Sequence, residues 1–182
     1  MQNYLYISSV PQREKCAIIK NMTDLHQQIV DLGHWHLREG LSLPQDFDEN
    51  PPLGFIYKVT DKVNGKWYIG QKKITKVEKR PPLKGKVRKR KIVKQTDWRT
   101  YTSSCNTLKF EILQRDKSEF DFEILHFVDC KWMLSYVELW YQMKMKAMFD
   151  ENSYNGIVNV RLSKFDSMRQ KWADIEKDLP TE

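Results

Sequence analysis

Cysteine is scarce: Cys16, Cys105 and Cys130 are the three in 182 residues, and no two lie close together. That excludes a disulfide framework and a CxxC zinc knuckle, and leaves buried reduced thiols as the plain reading. No apolar run approaches the ~18 residues of a membrane span, so no membrane partner is expected. The opening Met1-Gln2-Asn3-Tyr4-Leu5 lacks a basic region followed by an apolar one, which predicts a cytoplasmic rather than a secreted chain. Internal repeats are absent. His26, His34, His36 and His126 share no ligand spacing, and none falls between His36 and His126, so a histidine base in that interval is not expected. Aromatics, by contrast, are plentiful, with 6 Trp, 8 Tyr and 8 Phe. They supply enough apolar surface to offset chain entropy, so the chain folds. Its length suits one compact domain plus an extension.

The net charge of +7 hides an uneven pattern. Residues 1–53 hold 4 Lys/Arg against 7 Asp/Glu, and residues 111–182 hold 10 against 14. Residues 54–110 hold 17 against 3, a local excess of 14 positive charges. The densest part runs from Lys84 to Lys94, where 7 of 11 residues are cationic: Lys84, Lys86, Arg88, Lys89, Arg90, Lys91 and Lys94. Such a block repels itself unless anions are near, and polyphosphate is the natural counter-ion. A solvated loop that aids solubility is the plainer alternative. Trp98 and Tyr101 follow closely, and aromatics beside cations suit stacking on bases.

Along the chain, Tyr4 to Val10 reads as a strand and Ile18 to Leu41 as a helix, from apolar residues at three- and four-residue steps. The acidic, proline-flanked stretch Leu43 to Pro52 reads as a linker. Gly54 to Thr60 and Lys66 to Gly70 read as a hairpin closed by Asn64-Gly65. A two-residue loop there would set Tyr57 opposite Lys72 and Asp61 opposite Tyr68. Tyr57, Tyr68 and Lys72 then share a face, either as simple packing or as a proton-transfer and phosphate-binding cluster. Cys105 to Gln114 reads as a helix capped by Ser103 or Ser104. Phe120 to Val128 reads as a strand, Lys131 to Phe149 as a long helix, and Tyr154 to Val160 as a turn leading to a short strand. Phe165, Met168, Trp172 and Ile175 recur at helical steps near the end.

Glu138 sits among Leu134, Ser135, Tyr141 and Gln142 on the long helix. It is either a surface carboxylate at the edge of an apolar row or a hard-metal ligand, since Mg²⁺ often uses only one or two protein carboxylates.

Together these pieces resemble the GIY-YIG nuclease superfamily. The signatures are Gly54-Phe55-Ile56-Tyr57 and Tyr68-Ile69-Gly70, followed by a helix with Glu138 and by Asn155 in Tyr154-Asn155-Gly156-Ile157. The likeness is greatest to the phage-encoded Seg-like group. There a Gly-Phe-Ile-Tyr-Lys segment, a basic insert, an Asp-Trp-basic-x-Tyr segment (Asp97 to Tyr101) and a Ser-Ser pair (Ser103, Ser104) come in the same order.

The resemblance implies a small α/β (α+β) domain over residues 54–162, with a three-stranded antiparallel sheet flanked by helices. An N-terminal extension, 1–50, would precede it, and a C-terminal helix and tail, 163–182, would follow. The implied activity is metal-dependent cleavage of DNA phosphodiesters. Glu138 would hold Mg²⁺ or Mn²⁺. Tyr57 would be the base or part of a relay, aided by Lys72, and Tyr68 would orient water or phosphate. Asn155 would support the site. An arginine would bind the scissile phosphate, and two are candidates. Arg99 is favoured because it lies between well-formed elements, whereas Arg80 precedes Pro81-Pro82. The DNA-contacting set would be Lys73, Arg80, Lys84, Lys86, Arg88, Lys89, Arg90, Lys91, Lys94, Trp98, Tyr101, Ser103 and Ser104. Double-stranded DNA is then the partner, with a homodimer and a protein partner for residues 1–50 as further expectations. The competing readings are a catalytically weak nucleic-acid-binding module and a phage adaptor working through its N-terminal segment.

Overall fold

In the computed structural model, residues 30–85, 87–158 and 179 are described. Strand β2 (Gly54–Asp61) is the centre of the sheet. It pairs antiparallel with β3 (Trp67–Lys73) on one side and with β6 (Phe120–Val128) on the other. These are the three expected strands. A fourth, β1 (His36–Leu37), lies parallel to the outer side of β6, giving the order β1-β6-β2-β3. It corrects the helix expected over Ile18–Leu41 for the part of that segment that is described. Gly33 explains the difference: its φ of +67° is costly in a helix, and a Cβ there would lie 2.3 Å from the carbonyl oxygen of Arg99.

The sheet is covered on both faces, which is why β2 is buried nearly throughout. Phe55, Tyr57 and Val59 point to one side, where they meet Leu108 and Ile112 of α1 (Asn106–Gln114) together with Trp35, Phe47 and Trp98. Ile56 and Ile69 point to the other side, against Leu134 and Val137 of α2 (Lys131–Lys144). Fully burying each such side chain stabilises the fold by about 1.5–3 kcal/mol before entropy is counted. A bulge at Leu125 shifts the β2–β6 register by one residue, so Phe122, Ile124 and Phe127 all join the first cluster. The Leu125 carbonyl freed by the bulge accepts hydrogen bonds from Arg38 Nε at 2.7 Å and the Tyr141 hydroxyl at 3.2 Å.

The stretch expected as a linker is part of this core. Leu43 and Phe47 are buried, and Phe47 packs edge-on against Trp98 and Phe127. Residues 30–53 therefore belong to the folded body and not to a separable extension. The helices expected over Cys105–Gln114 and Lys131–Phe149 are confirmed with trimmed ends. Residue 105 precedes α1 as its cap without a side-chain bond, while Ser103 Oγ accepts from the Cys105 N–H at 3.0 Å. α2 stops before Lys146, whose φ is +52°. Residues 154–158 form no strand. The strand at Tyr4–Val10, residues 159–160 and the C-terminal helix lie outside the described residues.

The hairpin register departs from expectation by two residues. Tyr57 faces Gly70, Val59 faces Tyr68, and Lys72 faces Phe55. The cause is Asp61. Its carbonyl accepts from Gly65 N at 2.9 Å, and its carboxylate accepts from Val63 N at 2.9 Å, which makes residues 62–65 a four-residue loop. Only Gly65 in that loop has positive φ, so the type I′ geometry does not form. An even shift preserves the faces, so Tyr57, Tyr68 and Lys72 still share one.

Asp61 is fully buried and receives Arg115 through two bonds, Nη1 to Oδ2 at 2.5 Å and Nη2 to Oδ1 at 2.9 Å. The Arg115 hydrogen bonds hold its carboxyl below the usual range. A lowered carboxyl stabilises above its unfolded value and loses that effect as pH falls through the folded one. Arg115→Met strands this carboxylate. The prediction is a lower thermal midpoint at pH 7, with a gap from the native protein that narrows toward pH 3; an equal gap at both would exclude the ion pair as the cause.

The end of the basic run, from Arg90 on, is one strand of a two-stranded antiparallel ribbon, which the sequence reading missed. β4 (Thr75–Arg80) pairs with β5 (Arg90–Gln95) in a sheet of its own. Pro81-Pro82 end β4, as prolines that cannot donate to a ladder would.

Candidate active site

β3 is the edge strand of the main sheet, and the site is built around that edge. Tyr68 projects from one face of β3, and its hydroxyl shares a 2.7 Å hydrogen bond with Ser104 Oγ just before α1. Gln71, of opposite parity, projects toward α2, where its Nε2 donates to Glu138 Oε2 at 2.8 Å. Tyr68, Ser104, Glu138, Gln142, Tyr154 and Asn155 all line one cleft of about 400 Å³. A hydroxyl from the sheet and an acid from a distant helix thus open onto the same space.

Tyr57 lies one layer beneath. It is fully buried, with ring centroids 6.2 Å from Tyr68, 6.1 Å from Tyr101 and 5.1 Å from Trp35. The hydroxyls of Tyr101 and Ser104 flank its own, but neither is aligned for a hydrogen bond. Gly70 makes this stack feasible. A Cβ there would sit 2.6 Å from Tyr57 Oη and 2.7 Å from Tyr68 Cε1. We predict that Gly70→Ala displaces both rings, costing about 1–3 kcal/mol as overpacking does. Chemical denaturation and near-ultraviolet circular dichroism check this; an unchanged aromatic spectrum would contradict it.

Asn155 acts on the backbone. Its Oδ1 accepts from Ile69 N at 2.9 Å and its Nδ2 donates to Ile69 O at 2.7 Å. With the Trp67 N to Asn152 O and Tyr154 N to Trp67 O bonds, it seals the β3 edge that would otherwise expose unpaired groups. It positions Tyr68 and Gly70 from the residue between them.

Burial dominates the electrostatics. It pushes the Tyr57 phenol well above its ordinary value, and the neighbouring Tyr101 and Tyr68 add to the rise. Burial also raises Tyr68, opposed by its Ser104 hydrogen bond. Glu138 is pushed up to about 7 by burial, with Gln71 pulling the other way. Tyr154 is raised to about 12, first by burial and then by its hydrogen bond to Glu111.

The other expected residues are placed as follows. Lys72 lies with Nζ 3.7 Å from the centre of the Tyr101 ring and 2.7 Å from Asp97 Oδ1. Its link to Tyr57 therefore runs through Tyr101. Arg99 donates to Asp31 O and Gln95 Oε1, both at 2.7 Å, and covers the Trp98 ring. Arg80 is exposed on the ribbon opposite Arg90. Neither arginine lines the cleft. Lys73, Lys84, Arg88, Lys89, Lys91 and Lys94 are exposed, and Lys86 lies outside the described residues. Trp98 and Ser103, expected among the DNA-facing residues, are both fully buried: the indole fills the core between Phe47 and Phe55, and Ser103 Oγ accepts from the Cys105 N–H. Gln71, Tyr154 and Glu111 went unnoticed in the sequence. Strand parity opposite Tyr68 was the available signal for Gln71.

Among the described residues, no three His, Cys, Asp or Glu side chains gather as a metal cluster. The donor set is one carboxylate with one hydrogen-bonding neighbour, at a cleft with room for water. That fits Mg²⁺ or Mn²⁺, which keep waters, and not Zn²⁺, which wants three or four nitrogen or sulfur ligands.

The sequence model of the family described as "Putative endonuclease segE, GIY-YIG domain" matches residues 35–158. The chain belongs to this GIY-YIG family. The match begins at Trp35, a buried core residue. No curated protein and no solved structure gives a significant match. The GIY-YIG family is a nuclease family, and its nucleases generally use divalent metals. No described helix is long and apolar enough to cross a membrane.

Proposed function

We propose that this GIY-YIG protein is a phage-type endonuclease that hydrolyses phosphodiester bonds in double-stranded DNA with a divalent ion at Glu138. The observation that carries this reading is the shared cleft: Tyr68 and Glu138 reach it from opposite faces of one edge strand. A Mg²⁺ or Mn²⁺ ion bound there would supply charge stabilisation for the phosphate and the leaving oxygen.

The remaining roles belong to the chain. The Tyr68 hydroxyl, fixed by Ser104, orients the attacking water or a phosphate oxygen. Tyr57, neutral at rest, is the buried end of a hydroxyl relay through Tyr68, Ser104 and Tyr101, with Lys72 polarising Tyr101. Arg99 binds the scissile phosphate after exchanging its Asp31 and Gln95 contacts for it. Each site makes one nick, so a double-strand break takes two subunits or two encounters.

The second reading, a DNA-binding module without catalysis, draws on the lack of Lys or Arg in the cleft lining. Incubating the protein with supercoiled plasmid and Mg²⁺ separates the two. Nicking that disappears in Glu138→Ala supports the enzyme; salt-sensitive binding with no nicking supports the module. A partner-recruiting role for residues 1–50 is a further reading, although Trp35, Leu43 and Phe47 of that segment are core side chains. Deleting 1–29 and scoring plasmid cleavage and protein co-purification tests it.

A further inference from the structure

The β4–β5 ribbon is unusual in its cross-strand pairs. Lys76 faces Lys94, Lys79 faces Lys91, and Arg80 faces Arg90. Half of the six pairs therefore set cation against cation, an arrangement that destabilises a ribbon in water. One acid relieves it: Glu78 meets Lys94 at 2.8 Å and Lys76 at 3.5 Å. Among the described residues no acid pairs with the outer cations, and Arg90 Nε has the Pro81 carbonyl at 3.5 Å. Val77 and Val93 face each other on the Lys79–Lys91 side and are 57% and 65% exposed. This directly paired valine couple, framed by lysines, joins neither core cluster of the described residues and is left largely in water.

The ribbon is also joined to the candidate site. At its root a concavity is lined by Gln71, Lys72, Lys73, Lys76 and Asp97. Gln71 is the residue that holds Glu138. Gln71 thus links the concavity lined by Lys73 and Lys76 to the carboxylate that lines the cleft.

We infer that the β4–β5 ribbon is a recognition arm that lies in the major groove of duplex DNA. This deepens the endonuclease reading and rests on it for the choice of DNA. A two-stranded ribbon fits the major groove, about 12 Å wide. Six residues per strand at about 3.3 Å each make an arm of about 20 Å, close to six base-pair steps. The Val77–Val93 face turns to the groove floor, where thymine methyl groups offer the only apolar contacts on base edges. Lys79 and Lys91 flank it toward base-edge acceptors. The opposite face, with Lys76, Arg80, Arg90 and Lys94, reaches the phosphates of the groove walls. The bound anions relieve the repulsion between the paired cations.

Equilibrium binding of fluorescent duplexes by the full chain, without divalent metal, tests this. Arg80→Gln/Arg90→Gln removes two phosphate contacts. The salt slope of log K should fall by about 2 and affinity at 0.1 M salt by about 50-fold. The thermal midpoint without DNA should hold or rise, since a repulsive pair is gone. Replacing thymine by uracil in the duplex should weaken the native protein several-fold and leave Val77→Thr/Val93→Thr unaffected. An unchanged salt slope in the arginine variant, or native binding indifferent to uracil, overturns the inference. Cleavage plays no part in these readouts. A protein that binds this way without cutting defeats the nuclease reading alone, and one that cuts with unimpaired binding by the arginine variant defeats the arm alone.

Discussion

Glu138→Gln is expected to abolish Mg²⁺-dependent plasmid nicking and, in the same protein, to raise stability at alkaline pH. Burial lifts this carboxyl from an ordinary value of 4.5 to about 7. A group whose folded value is raised contributes stability below its unfolded value, and that contribution is lost as pH rises through the folded value. At pH 8 the native protein therefore holds an ionised carboxylate in a half-dry cleft. Glutamine has the same shape, can still accept from Gln71, and carries no charge. At about 1.4 kcal/mol per unit, the gain at pH 8 is of order 2–3 kcal/mol and vanishes near pH 4.5. Urea unfolding in chelator at the two pH values reads it directly. Equal stability of both proteins at pH 8 would mean that Glu138 is an ordinary surface carboxylate. Added Mg²⁺ should stabilise the native protein at pH 8 and leave the glutamine variant where it was, because a ligand raises stability only where it binds.

The sign of that effect carries functional information. A residue kept for folding would lose stability when its charge is removed. Here the fold holds a group that it would keep more easily neutral, and it does so at the mouth of a cleft shared with a phenol. Perturbation of this kind, from desolvation in a cleft without a structural ion pair, is typical of functional sites, and it supports the proposed metal role of Glu138. Asp61 is the contrast within the same sheet. It is more deeply buried, yet Arg115 pairs it and holds its carboxyl down, which is the signature of a structural carboxylate.

The legible parts of the fold were those where local chemistry and tertiary context agree. β2, β3 and β6 carry β-branched and aromatic residues in strand-length runs, and both described helices bury apolar residues at three- and four-residue steps, Leu108 and Ile112 on α1 and Leu134, Val137 and Tyr141 on α2. The hairpin shows how a wrong detail can leave a right conclusion. Asp61 captured the turn with its carboxylate and moved the register by two, but an even slip cannot change which face a side chain occupies. The misreadings have a common cause in long-range packing. Leu43 and Phe47 sit in an acidic, proline-flanked stretch that reads as linker, and Trp35 in a stretch that reads as helix, until their packing in the core with Trp98 is seen. Trp98 misled in the opposite direction. Beside a cationic run an indole suggests base stacking, whereas its size made it the filling of the core. The ribbon was illegible because its charge pattern opposes pairing. In the site, Glu138, Tyr68 and Asn155 were found by motif, while Gln71 is visible only once β3 is known to be an edge between two layers.

Tyr57→Phe and Tyr68→Phe are expected to act alike on cleavage and oppositely on stability. Both remove a hydroxyl from the proposed relay, and loss of a positioned proton-transfer group costs roughly 10²–10⁴-fold in rate. The Tyr68 hydroxyl is bonded to Ser104 at 2.7 Å, so its removal forfeits that bond, leaves the exposed serine to water, and lowers stability by about 0.5–1 kcal/mol. The Tyr57 hydroxyl is buried without an aligned partner in the structure. Deleting it ends a desolvation penalty, and stability should rise by about 1 kcal/mol. Single-turnover nicking and urea unfolding on the two variants give the four numbers required. A Tyr57→Phe protein that is both less stable and fully active would make the phenol a packing residue with a hidden hydrogen bond, and the relay would have no origin. The expected pairing, a faster-unfolding Tyr68 variant and a more stable Tyr57 variant that are both slow to cut, would leave catalysis as the reason for an unpartnered hydroxyl at the centre of the core.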